Sequence, residues 1–136
     1  MKNAFVVGVL LLFAMSLAGA QGAKTVTMKG YVVDQMCAKG IAKKENVMEK
    51  AAAHSRKCAL EEGCTESGYG LFSDGKYYPF DEKGSAKAKE LIEGSKREKE
   101  LMFEASGSVE GNVFTVKSLK AITSLGKTQK AKQKES

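Results

Sequence analysis

Apolar residues are spread unevenly along this chain. They crowd into an opening block, recur in short alternating runs, and then stop. The opening block is Ala4 to Leu17, preceded by Lys2 and followed by Ala18-Gly19-Ala20. A positive start, an apolar centre and a small-x-small end predict a secretory signal peptide over residues 1–20, cut before Gln21. A run of about 14 apolar residues falls short of the roughly 20 that a membrane-spanning helix needs. No cysteine stands near the junction, so a lipid anchor is not expected.

Alternation begins at Lys24. Val26, Met28 and Val32 share one face of a strand running to Asp34, with a bend or bulge expected at Gly30. Tyr69 to Ser73 and Lys76 to Phe80 read as two short strands. Asp74-Gly75 between them suits a type I′ turn, in which both central residues need positive φ. Pro79 has no N–H to donate, which places its strand at an edge or ends it. Ser85 to Glu93 predicts a helix capped by Ser85 and closed by Gly94. Leu101 to Val109 and Asn112 to Leu119 predict a last hairpin with Glu110-Gly111 at its tip. Five strands with a helix between the third and fourth is the order of a small OB-fold-like β-barrel. The same elements also suit an α+β roll. The expected domain covers residues 21–125; residues 126–136 have no hydrophobe to bury and read as a disordered basic tail.

Charge narrows the picture little. The whole chain carries +6, and loss of Lys2 with the leader leaves +5. Arg56 and Arg97 are the only arginines, whereas specific reading of phosphate and bases favours Arg, so no nucleic-acid partner is expected. A lysine-rich soluble surface is the plainer reading, with weak attraction to an anionic envelope surface as the minor one. The partner and the oligomeric state are not indicated.

The chemistry concentrates between the first two strands. Residues 36–68 are too long for a structureless connection in a compact domain. Glu45 to Glu62 reads as one helix, with Gly63 at its end. On that helix Val47, Ala51, His54 and Cys58 form one stripe, so His54 and Cys58 point the same way. Cys64 can swing back after Gly63, and Cys37 sits where the insert leaves the first strand. Convergence of Cys37, His54, Cys58 and Cys64 would make a soft-metal site for zinc or copper. The opposing reading is structural: a disulfide among Cys37, Cys58 and Cys64 staples the insert, one thiol is spare, and His54 merely packs. Export favours that bridge, and a loop of about 20 residues closed by it would gain roughly 3 kcal/mol. The spacing has no C-x-x-C knuckle, so neither a zinc knuckle nor a thioredoxin-type redox motif is present, and C-x-x-C-H for haem is absent. Asp34, three residues before Cys37, is expected to cap a turn rather than orient a ligand. Tyr69, Phe72, Tyr77, Tyr78 and Phe80 are explained by core packing more simply than by a stacking surface. No hydrolytic constellation is visible, since His54 is the single histidine and no G-x-S-x-G elbow occurs.

Asp34-Gln-Met-Cys37 after Gly30-Tyr31, His54-x₃-Cys58-Ala59-Leu60-x₃-Cys64, Ser67-Gly68-Tyr69-Gly70 and Asp74-Gly75-Lys76 together resemble a family of small secreted bacterial proteins of uncharacterised function. The resemblance runs from Gly30 to Leu119. It implies an OB-like fold and marks Cys37, His54, Cys58 and Cys64 as motif positions, without a role, activity or cofactor attached.

The expectation is therefore a secreted or periplasmic, non-enzymatic binding domain with a Cys/His insert. Its rivals are a disulfide-stapled envelope structural or stress protein and a thiol redox protein.

Overall fold

A computed structural model describes residues 24–126; the expected signal peptide and nearly all of the expected tail lie outside the described residues. The chain runs β1 (Val26–Asp34), α1 (Gln35–Ile41), α2 (Val47–Ala53), α3 (Arg56–Ala59), α4 (Glu62–Ser67), β2 (Tyr69–Ser73), β3 (Lys76–Pro79), α5 (Glu82–Glu93), β4 (Met102–Glu110) and β5 (Val113–Ala121). The strands form one antiparallel sheet in the order β3-β2-β1-β4-β5. No helix among the described residues is long and apolar enough to cross a membrane.

The number of strands and the place of α5 match the sequence reading, but the barrel does not close. In place of a closing ladder there is one isolated parallel bridge, between Phe80, just past β3, and Phe114 of β5. The reason is local. β3 is four residues long and stops at Pro79, which has no N–H for a ladder. The chain then turns into α5, which packs against β5 and β2. The molecule is a small α+β domain built on an open five-stranded sheet.

Both faces of the sheet are covered. Val32, Leu71, Phe103, Ala105 and Phe114 pack with Ala88 and Ile92 of α5 in one core. The residues that alternate with them, Tyr31, Val33, Phe72 and Met102, pack with Met48 and Ala51 of α2 in a second. Period-two side-chain alternation thus gives β1 one face for α5 and one for the insert. The Asp74-Gly75 turn is as expected, with φ 51° and 83°, but the last hairpin turns one residue later than expected, at Gly111-Asn112, because Glu110 still pairs with Val113 and Gly111 takes the positive φ of 63°. No bulge falls at Gly30, where the β1–β4 register runs on unbroken from Lys29 to Tyr31. Gly30 is needed for closeness, because a Cβ there would lie 1.9 Å from the Phe72 carbonyl oxygen. The irregularity falls instead in β4, between Ser106 and Gly107.

Helix α5 starts earlier than its sequence suggests. Asp81 caps it, accepting from Gly84 N–H at 3.1 Å, and the same oxygen accepts from Val116 N–H of β5 at 3.1 Å. Ser85 instead accepts from Tyr69 N–H at 3.0 Å and ties α5 to β2. Tyr69, Phe72 and Phe80 are buried, and the Tyr77 ring lies 4.7 Å from that of Phe72. Those aromatics are core and sheet packing, as the plainer reading has it.

Candidate metal centre

Asp34, Cys37, His54, Cys58 and Cys64 set the site, and capped turns place two of the cysteines. Asp34 ends β1 and caps α1, its Oδ1 accepting from Cys37 N–H at 2.8 Å. A capped first turn fixes where the Cys37 side chain leaves the backbone. Asp34 thereby fills the capping role expected of it. It also does more: its Oδ2 lies 3.0 Å from His54 Nε2, and the two side chains are 0% and 6% exposed.

His54 does not sit on a long helix. The expected helix from Glu45 to Glu62 is broken into α2, α3 and the start of α4. His54 closes α2 with extended backbone, φ −62° and ψ 125°, and Ser55 opens α3 by accepting from Cys58 N–H at 3.1 Å. The break is held by the segment after α5. Arg56 N–H donates to Glu98 at 2.8 Å and Glu100 N–H to Ala52 at 2.8 Å. The Arg56 side chain donates to the carbonyls of Ile92 and Glu93 at the end of α5, at 2.9 and 2.7 Å. A cation there also suits the negative end of the helix dipole. The four-residue spacing of His54 and Cys58 therefore does not place them on a shared helical stripe. A capped turn brings them together instead. Cys64 lies inside α4, buried, instead of after a turn at Gly63.

The sulfurs nonetheless converge. Cys37 Sγ and Cys58 Sγ are 3.7 Å apart, and all three cysteines are unbridged. Ligand atoms of Cys37, His54 and Cys58 lie within 4.8 Å of one another; so do those of Asp34, Cys37 and Cys64, and those of Cys58, Glu61 and Cys64. Each pair of cysteines belongs to one of these groups, so the three sulfurs form a triangle with no side above 4.8 Å. His54 stands on its Cys37–Cys58 side, Asp34 on its Cys37–Cys64 side. Glu61, exposed on the Cys58–Cys64 side, had no signal in the sequence. Ligands about 2.3 Å from a tetrahedral zinc ion stand about 3.8 Å from each other, close to the observed Cys37–Cys58 spacing.

The polar atoms here are incompletely satisfied. His54 Nδ1 is buried without a hydrogen-bond partner among the described residues. Nε2 and Asp34 Oδ2 meet each other at 3.0 Å and have no other polar partner among the described residues. Buried polar atoms without partners cost on the order of 1–3 kcal/mol each, and their presence asks for an explanation.

Burial and the Asp34 charge together set the electrostatics. Burial pushes its carboxyl up, but the His54 side chain and the Cys37 N–H outweigh that and hold it below the ordinary range. Burial and then the Asp34 charge push the Cys37 thiol well above its usual value. The same causes push Cys64 up to about 11 and Tyr69 up to about 12. Tyr77 is also raised by burial and Asp34, and its hydroxyl donates to the Val33 carbonyl at 2.9 Å. With neutral thiols, the Asp34 carboxylate has the His54 ring 3.0 Å away on one side and protonated sulfurs on the other.

No family model, curated protein or solved structure matches this chain.

Proposed function

We propose that this protein binds one soft metal ion, zinc or copper, through Cys37, Cys58, Cys64 and His54, and acts as a non-enzymatic binding domain outside the cytoplasm. The observation that carries the reading is the unpartnered, buried His54 Nδ1 beside a triangle of unbridged sulfurs. With Nε2 turned to Asp34, Nδ1 is the nitrogen left for a cation. A carboxylate behind a ligating histidine is the usual way to fix its ring and raise its basicity. Thiolates with imidazole suit zinc and copper, and a bound cation lowers the cost of deprotonating thiols that burial keeps neutral. The place of action follows from the expected leader and from the resemblance to small secreted bacterial proteins. That resemblance supplies the same four positions.

A disulfide reading is favoured by one distance. The 3.7 Å between Cys37 and Cys58 is near enough for a bridge after a small shift. Such a bond would staple α1 to α3 and leave Cys64 alone.

Thiol titration with elemental analysis of purified protein separates the two. The metal reading expects one equivalent of zinc or copper per chain and three thiols after denaturation. One thiol, one Cys37–Cys58 bridge, and no metal uptake after reduction would overturn it.

A further inference from the structure

Beside the cluster, the insert opens into a groove of about 350 Å³. Its walls include Cys37, Ile41, Ala53 and His54, with Lys44 and Lys50 at its rim. Both lysines are exposed, and neither pairs with a carboxylate among the described residues. Cys64 and Asp34, by contrast, are buried and do not line the groove. The cluster thus has a closed side and one that meets the groove at half-buried Cys37 and at the edge of the His54 ring, whose nitrogens lie just beneath the wall.

We propose that this groove is an exchange port for a small carboxylate-bearing thiol. The inference rests on the metal reading and adds a ligand class to it. Softness selects the reacting end: a metal held by thiolates accepts another sulfur readily. The wall selects the body, since Ile41 and Ala53 suit a short apolar stem. Charge selects the far end, where two ammonium groups attract a carboxylate. His54 supplies the one neutral donor of the set and stands on the groove wall. The incoming thiol loses its proton to solvent and its sulfur takes the place of the His54 nitrogen on the metal. Metal then enters or leaves through this side while Cys58 and Cys64 stay behind.

The test uses cobalt(II) as a coloured stand-in for the metal and mercaptoacetate as the probe. The cobalt-loaded chain is titrated with mercaptoacetate, with 2-mercaptoethanol and with acetate, following the visible cobalt bands. Saturable change with mercaptoacetate at no more than one-fifth the concentration needed for either control supports the port. Lys44→Gln with Lys50→Gln should abolish that preference. Equal behaviour of mercaptoacetate and 2-mercaptoethanol, or an unchanged preference in the double variant, overturns it. Failure of cobalt–thiolate bands to form overturns the metal reading and the exchange step together. The groove's anion preference is read separately on metal-free protein by peptide-mapped alkylation of Cys37. The rate ratio of iodoacetate to iodoacetamide should exceed that of free cysteine at least threefold and return to it in the double variant. An unraised ratio overturns the carboxylate assignment whatever cobalt does.

Discussion

Asp34 Oδ2 lies 3.0 Å from His54 Nε2, joining the end of β1 to the close of α2 in a place almost without solvent. One carboxylate therefore holds two parts of the site, since its other oxygen caps the turn that carries Cys37. Its charge adds to burial, the larger cause, in making the thiols and tyrosines around it resist ionisation.

His54→Ala should be worse than the double change Asp34→Asn with His54→Ala. Removing the imidazole alone strands a buried carboxylate, and breaking a buried pair from one side costs about 3–5 kcal/mol. Neutralising Asp34 as well removes that penalty while the Asn side chain can still cap α1. Urea midpoints of the metal-free variants check this. A double variant at least as unstable as His54→Ala would show that the contact carries no charge-dependent weight.

Ser55→Ala should weaken metal binding without touching a ligand. The Ser55 hydroxyl accepts from Cys58 N–H and starts α3 at the residue after His54. Loss of an N-cap costs about 1 kcal/mol, and mutation of groups that orient ligands typically lowers metal affinity about 10-fold or more. Chelator competition with wild type and Ser55→Ala measures the difference. Equal affinities would mean that Cys58 is positioned by packing alone.

Metal-free protein should lose stability in alkali from about pH 9 upward. Burial raises Cys64 from 9.0 to about 11 and Tyr69 from 10.0 to about 12. Above the ordinary values the unfolded chain releases these protons while the folded one still holds them, so unfolding is favoured as pH rises. The acid limb has the opposite origin. Asp34 is held below 3.8 in the fold, so its contribution is complete above that value and is lost as pH falls through the lower folded one. Denaturant midpoints across pH, with and without zinc, test both limbs. Bound metal should flatten the part of the alkaline limb due to Cys64, because a ligated thiol is already deprotonated.

Gly30→Ala should destabilise the domain by about 3 kcal/mol. The added methyl meets the Phe72 carbonyl, which cannot move without parting β1 from β2. Thermal or urea unfolding reads this directly. A change below about 0.5 kcal/mol, the range of an ordinary surface substitution, would contradict it.

Much of the sheet could be read from the chain because strand signals are local. Tyr69 to Ser73 and the Asp74-Gly75 turn stand where alternation and turn chemistry place them. The open edge could not, because closure depends on how far β3 can run beside β5, and Pro79 with the early start of α5 at Asp81 ends that run. At the site, the convergence of cysteines was legible, but the route to it was not. Good helix formers from Glu45 to Glu62 hide a break whose backbone groups are satisfied by Glu98 and Glu100, some forty residues later in the chain. Ser55 three residues before Cys58 was the local signal for that break, and its side chain now caps α3. The contact between Asp34 and His54 is tertiary, and spacing alone carries no trace of it.

X-ray absorption at the zinc edge of the loaded protein tests the central claim most directly. The expected first shell is three sulfurs at about 2.3 Å and one nitrogen at about 2.0 Å, with the nitrogen lost in His54→Ala. A shell of nitrogen and oxygen only, or zinc that washes away to leave Cys37 bonded to Cys58, would contradict it.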